Sequence, residues 1–313
     1  MLVLNFRNGR PAVALVPDRR AAPRRERADR CPVLAQGYVD GASEAKGKTM
    51  SDAVLYEVND GVAVITFNRP NRLNAWNGDI HQGYFTSLDN AAADPDVRAI
   101  VVTGAGRGWC AGADMDVLQG IQSDAPSDAA GEMSRPTWNH THAMTIPKPV
   151  IAAINGACAG LGFVHALACD IRFAAEGAKF TSAFSRRGLI AEHGCSWTLP
   201  HLVGQAVALD VLMSGRVFLA EEAKEMGIVN RVFAPEALMD ETLAYAKDMA
   251  VNASPASMAA MKRQVYTHPM MPIDEALAEA NRLMNESFTR PDFKEGVSSF
   301  VEKRPPAFPP IAG

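Results

Sequence analysis

Ile146-Pro-Lys-Pro-Val-Ile-Ala-Ala-Ile-Asn-Gly-Ala-Cys-Ala-Gly-Leu-Gly162, running on through Phe163 to Asp170, is the stretch whose reading decides the fold. Val150 to Ile154 is apolar without alternation, as a strand covered on both faces is. A turn of small residues follows, then a small-residue helix, then a second apolar run from Ile171 to Ala174. Strand, helix and strand in that order imply parallel pairing through a crossover connection.

The same pattern extends outward in both directions. Val97 to Thr103 is a short apolar run bounded by Pro95 and Gly104, and reads as another buried strand. Val54–Val58 and Val62–Phe67 flank Asn59-Asp-Gly61, a hairpin signal. Ile80, Tyr84, Leu88 and Ala91 recur at helical spacing within 77–93. After about residue 195 the pattern turns mostly helical. Ser254-Pro255 predicts an N-cap with proline at the first helical position, and another helix is expected from about Pro272 to Phe288. The expectation is an α/β core over residues 50–250 and a helical C-terminal region over 251–313. No fixed-period sequence repeat is visible.

Residues 1–49 differ in composition from the rest of the chain. Arg19, Arg20, Arg24, Arg25, Arg27 and Arg30 crowd a stretch rich in Ala and Pro, with Asp18, Glu26 and Asp29 among them. A transit peptide is typically poor in acids, so the segment reads as a disordered extension ahead of a start at Met50. The 313-residue chain is 48% hydrophobic and 21% charged, so it can bury a core without disulfides or a structural metal. A net charge of −4 gives no general electrostatic case for nucleic acid or an anionic membrane, and no apolar run reaches transmembrane length. The cysteines (Cys31, Cys110, Cys158, Cys169, Cys195) are five, without C-x-x-C or paired zinc spacing. With no signal peptide in view, they read as belonging to a reducing cytoplasm.

Two segments carry chemistry. Thr103-Gly-Ala-Gly-Arg-Gly-Trp-Cys-Ala-Gly-Ala-Asp-Met-Asp116 follows a strand and leads into a helical stretch, but matches neither a phosphate loop nor a Rossmann turn. The 146–162 segment repeats that arrangement. Two such turns can aim two backbone N–H groups at one oxygen, which is how an oxyanion is stabilised. Alone, each is unspecific.

Together they resemble the crotonase (enoyl-CoA hydratase/isomerase) superfamily, over about Tyr56 to Phe308. Asn68-Arg-Pro-Asn-Arg-Leu-Asn-Ala75 is similar to the family's early turn, and Trp109-Cys-Ala-Gly-Ala-Asp114 to its first oxyanion motif. Ile146-Pro-Lys-Pro-Val150 with Asn155-Gly156 is similar to the approach to its second, and Phe300-Val-Glu-Lys-Arg-Pro305 with Phe308 to its C-terminal signature. The resemblance implies a ββα superhelix whose helical C-terminal region serves oligomerisation, as a homotrimer or hexamer. It implies an acyl-CoA thioester substrate, with coenzyme A entering as part of the substrate and no separate cofactor or metal. Carried over residue by residue, the backbone N–H groups of Ala113 and Leu161 form the oxyanion hole. Arg69, Arg72, Ala111, Ala113, Asp114, Met115 and Lys303 fall in the coenzyme A site.

The pattern departs from the family's hydratases at the two positions where they carry glutamates, here Val164 and Phe184. Gly188-Leu-Ile-Ala-Glu-His-Gly-Cys-Ser196 instead resembles a segment of the family's Δ3,Δ2-enoyl-CoA isomerases, in which one glutamate moves a proton from C2 to C4. That makes Glu192 the expected base, in a pocket walled by Val164 and Phe184. A helix-start acid is the plainer reading of Glu192. His193 is the neighbour expected to point elsewhere, and His165 is expected in the core. His140 and His142 border the acyl pocket without a third metal ligand. Asp116 is a second candidate acid; Asp114 and Asp170 read as structural. Hydration of a 2-enoyl-CoA by Glu192 with water, and acyl-CoA binding without catalysis, remain the alternatives.

Overall fold

The computed structural model describes residues 5–7, 10–12, 52–122 and 138–311, and the chain divides into two compact units, 1–48 and 49–313. In the first unit, β1 (Asn5–Arg7) and β2 (Arg10–Ala12) pair antiparallel, a pairing that composition does not predict. The rest of the expected extension lies outside the described residues.

The second unit opens with β3 (Val54–Asn59) and β4 (Val62–Phe67), joined by a turn with both central residues at positive φ, 51° for Asp60 and 76° for Gly61. That is the turn Asn-Asp-Gly favours, because its twist matches that of the strands. A parallel series then joins β4: β5 (Ala99–Gly104), β7 (Val150–Ile154), β9 (Ile171–Ala175) and β12 (Arg231–Phe233). Every residue of β5 and β7 is buried, as their unbroken apolar composition requires.

A second sheet collects short strands that the sequence pattern does not reveal: β6 (Gly108–Cys110), β8 (Ala157–Ala159), β10 (Lys179–Thr181) and β11 (Phe218–Leu219), in the order β11-β10-β8-β6. Helices follow the paired strands: Met115–Gln122 after β5 and β6, Leu161–Ala168 after β7 and β8, Cys195–Ser214 after β9 and β10. Each ββα unit therefore advances one strand in both sheets, which is the superhelix of the crotonase fold.

Alternate residues of the six-stranded sheet face two apolar clusters. Val62, Ala99, Val101, Ile151, Ala153 and Phe173 pack under the helix Leu238–Asn252. Ile65, Phe67, Ile100, Val102, Ala152 and Ile154 face the larger cluster containing the helices Gly78–Ala93 and Leu161–Ala168. Buried Lys148 closes the first of these helices, its Nζ donating to Ala91 O (2.7 Å) and Asp94 O (2.6 Å). Ser254 caps Pro255–Thr267 as expected, accepting from the Ser257 N–H at 3.1 Å. Lys262 of that helix reaches Asp170 (2.7 Å) while Tyr266 donates to the same carboxylate (2.9 Å), so Asp170 ties the C-terminal helices to the core.

A Cβ on Gly104 would run into the carbonyl oxygens of Gly108 and Trp109, whereas one on Gly78 would meet nothing within 4 Å. Gly104→Ala is expected to lower stability by about 1–3 kcal/mol. Gly78→Ala should leave it unchanged or raise it by less than about 1 kcal/mol. Urea-unfolding midpoints of the two variants test the contrast.

Candidate active site

Ala113 and Leu161 each follow a glycine held at positive φ, and the two glycine turns touch. Gly112 has φ 100° and Gly160 has φ 50°. A Cβ on Gly112 would lie 3.0 Å from Ala159 O, and one on Gly160 would lie 3.7 Å from Gly112 Cα. Main chain of one ββα unit therefore rests on main chain of the next.

The N–H groups beyond these glycines are unpaired for identifiable reasons. Leu161 opens the helix Leu161–Ala168, where the first amides have no acceptor within the helix. Ala113 forms a parallel bridge with Trp76: Trp76 N–H donates to Gly112 O (2.7 Å) and Asp114 N–H donates to Trp76 O (2.9 Å). Bridge geometry then turns the Ala113 N–H to the side away from Trp76. Neither amide has an acceptor among the described residues. The Leu161 amide also lies at the positive end of a helix, so the pair suits a developing negative charge.

Side chains brace the first turn. Asn74, fully buried and at φ 56°, accepts from the Arg69 N–H (2.7 Å) and donates to Gly108 O (2.7 Å) and Ala105 O (3.0 Å). Asn155 donates to Gly104 O (2.7 Å) and Gly106 O (2.8 Å). Asn74 lies in the 68–75 motif and Asn155 in the 146–162 segment, yet their role as staples is visible only once the loops are adjacent. Arg69 donates to Ala75 O (2.6 Å) and pairs with nearly buried Asp114 (2.8 Å). Asp114 in turn accepts from the Asp116 N–H at the start of the helix Met115–Gln122. Burial alone would raise the Asp114 carboxyl; hydrogen bonds from Arg69 and from the Asp116 amide, with the nearby Arg69 and Arg72 charges, hold it below its usual range.

The remaining candidate contacts are open. Arg72 meets Asp116 at 3.4 Å with both side chains mostly exposed, and Met115 is 55% exposed. Ala111 donates its N–H to Leu73 O (3.1 Å). Lys303 is the exposed left-handed cap of the last helix, Pro291–Glu302, at φ 54°. Its amine has no hydrogen bond or ion-pair partner among the described residues.

Glu192 sits in the loop ahead of Cys195–Ser214, whose N-cap is Gly194. No side chain caps that helix, so the helix-start reading of Glu192 has no contact behind it. Its side chain is about one-third exposed (31%), and burial raises its carboxyl above the ordinary value. The closest cation-capable group is His193 Nε2, at 3.9 Å from Oε2. Val164 and Phe184, the positions of the absent glutamates, are buried in the same cluster as Leu161 and Trp76.

Rings connect Glu192 to the glycine turns at Gly112 and Gly160. His193 lies on His140 with ring centroids 4.0 Å apart, and His140 Nδ1 is 3.0 Å from His165 Nε2. His165, fully buried, stacks on Trp76 at 3.9 Å. Trp76 is the residue bridged to Ala113, so the base candidate and the amide candidates border one ring cluster. His142 instead meets Asp89 at 2.7 Å, and Trp138 donates to the same carboxylate. Among the described residues no three His, Cys, Asp or Glu side chains are placed to hold a metal ion.

Comparison with known proteins places the chain in a family. A family model described as enoyl-CoA hydratase/isomerase matches residues 57–310. The 1,2-epoxyphenylacetyl-CoA isomerase of Escherichia coli K12 is 34% identical over 261 residues, 83% of this chain and 99% of its own. The (E)-benzylidenesuccinyl-CoA hydratase of Thauera aromatica is 34% identical over 260 residues, 82% of this chain and 98% of its own. A crystal structure of an enoyl-CoA hydratase from Mycobacterium marinum is 51% identical, covers 70% of this chain and all of its own, and superposes with a TM-score of 0.60.

Replacing Arg69 by Met strands a nearly buried carboxylate, and is expected to lower stability by about 2 kcal/mol while the Asp114 pKa climbs. Because Asp114 is held low in the folded state, its contribution in the parent protein is present at neutral pH and is lost as pH falls through the acid range. Arg72→Met removes only an exposed pair and should cost less than about 0.5 kcal/mol. Urea titrations at neutral and acid pH distinguish the two.

Proposed function

The chain belongs to the enoyl-CoA hydratase/isomerase family, and from that premise we propose that it converts 3-enoyl-CoA thioesters to 2-enoyl-CoA thioesters, with Glu192 as the single base. The observation that carries this reading is one partly buried carboxylate, not engaged in capping, on the ring cluster that also holds the Ala113 turn. The Glu192 carboxylate takes a proton from C2, and the electron pair moves through C1 onto the thioester oxygen. The Ala113 and Leu161 amides hold that enolate oxygen. Protonated Glu192 then returns the proton at C4; the double bond settles between C2 and C3, and no water is consumed. One acid/base group suffices, provided its pKa is raised toward the working pH, which burial does here.

Val164 and Phe184 support isomerisation over hydration, because apolar side chains stand where a second carboxylate would position water. The Escherichia coli relative is named an isomerase, but of an epoxide rather than of a 3-enoyl thioester. Hydration of a 2-enoyl-CoA is the second reading, favoured by the hydratase name of the Thauera relative. Coenzyme A would lie along the 111–115 loop with Arg72 and Lys303 as its open cations, while Arg69 braces the loop from behind. Assembly as a trimer or hexamer would cover the apolar side chains that the C-terminal helices leave exposed, among them Ile273 (83%) and Phe300 (85%).

Purified protein given a 3-enoyl-CoA should produce a rise in the ultraviolet absorbance of the conjugated thioester. Glu192→Gln should lower kcat/KM by about 10²–10⁴-fold. In the parent enzyme the acid limb of the kcat/KM profile should lie above the ordinary carboxylate range, activity rising with pH as Glu192 ionises. A fall in absorbance with a 2-enoyl-CoA, and none of the first effect, would establish hydration instead.

A further inference from the structure

Four histidines from four separate segments meet beside Glu192: His81 from Gly78–Ala93, His140 from the segment before the turn His142–Met144, His165 from Leu161–Ala168, and His193 from the loop before Cys195. The hydrogen bond between His140 and His165 defines their tautomers. His165 Nδ1 is buried without a partner. An unpaired N–H in the interior is rarer than an unpaired lone pair, so the His165 proton is assigned to Nε2 and donated to His140 Nδ1. His140 then carries its own proton on Nε2. Burial, then the neighbouring His193 and His81, hold the His140 pKa down at about 3, so the ring is neutral in the working range. The groups facing it are His81, His165 and His193, with Glu192 beyond His193 and the rings of Trp76 and Phe85 beside it.

His193 needs support. Its φ of 52° is left-handed, a region histidine enters more readily than most side chains but which still costs a non-glycine residue some energy. The ring packed on it at 4.0 Å is His140, itself anchored by His165, which stacks on the tryptophan bridged to Ala113.

We propose that His140 is a positioning residue for Glu192: hydrogen-bonded to His165 and packed on His193, it sets the distance from the base to the Ala113 and Leu161 amides. This rests on the reading of Glu192 as the base. Proton transfer is sensitive to displacements near 1 Å, so freeing the His140 ring should reduce turnover while leaving coenzyme A binding nearly intact.

The test compares His140→Phe with His140→Asn, following 3-enoyl-CoA isomerisation. Phenylalanine keeps a ring in the cluster but cannot accept from His165; asparagine loses the ring but places a side-chain oxygen near the former Nδ1. A positioning role predicts a fall in kcat of roughly tenfold for the Phe variant, with KM nearly unchanged, and partial rescue by Asn, which restores the His165 hydrogen bond but not the ring packed on His193. A packing role predicts the reverse, Phe tolerated and Asn impaired. His193→Asn, which tolerates the left-handed backbone on a partly exposed loop, should lower kcat as His140→Phe does and serves if that variant does not fold. In a Glu192→Gln background His140→Phe should add no further loss. Parent-like kcat in His140→Phe or in His193→Asn, with Glu192→Gln inactive, overturns the positioning proposal alone. An active Glu192→Gln enzyme overturns the base reading and this proposal with it.

Discussion

Where one ββα unit lies on the next, main chain meets main chain. A Cβ on Gly156 would strike the Arg107 carbonyl, and one on Gly162 would strike that of Cys110. Those contacts let short strands of the second sheet run beside each other, and they bring the turn at Gly112 against the turn at Gly160. The amides of Ala113 and Leu161 become neighbours as a by-product of the close approach that also stacks the superhelix. Fold and the placement of these two amides thus depend on the same clearance, and a single methyl group there would disturb both.

Such close backbone packing leaves polar groups inside, and the molecule satisfies them with a small set of long-reaching side chains. Asn74 and Asn155 take carbonyls of the 105–107 loop and of the strand residues that flank it. Lys148 takes those at the end of Gly78–Ala93, and Lys262 takes Lys148 O (3.0 Å) and Ala143 O (2.8 Å) while pairing with Asp170. Asn74 and Lys148 are buried and Lys262 nearly so, so losing one of these would leave carbonyls unpaired away from water. The loops are pinned from behind by side chains, and the free amides are the ones left unpinned.

The ring cluster gives the site its other boundary. Burial raises the Glu192 carboxyl, and Val164, Phe184, Trp76 and His165 are themselves buried. A carboxyl so placed is a better base near neutral pH than one in water. The imidazoles beside it are likewise held neutral by burial, so they add hydrogen-bonding geometry to the pocket without adding charge.

Local chemistry is what the chain states in its own order. The unbroken apolar runs of β5 and β7, the Asn-Asp-Gly turn and the Ser254-Pro255 cap are decided by neighbours along the sequence, and the fold class follows from them. The glycine-rich turns are legible for the same reason, whereas Glu192 is singled out only by the resemblance of its segment to the family's isomerases. The two- and three-residue strands of the second sheet are not legible, because so short a run has no period and exists only through its partner. Nor are the staples of Asn74 and Asn155, the clamp of Arg69 on Asp114, or the meeting of His140 with His165 and His193. These join residues 25 to 53 positions apart, and their energies depend on adjacency and exclusion of water that only the packed superhelix supplies.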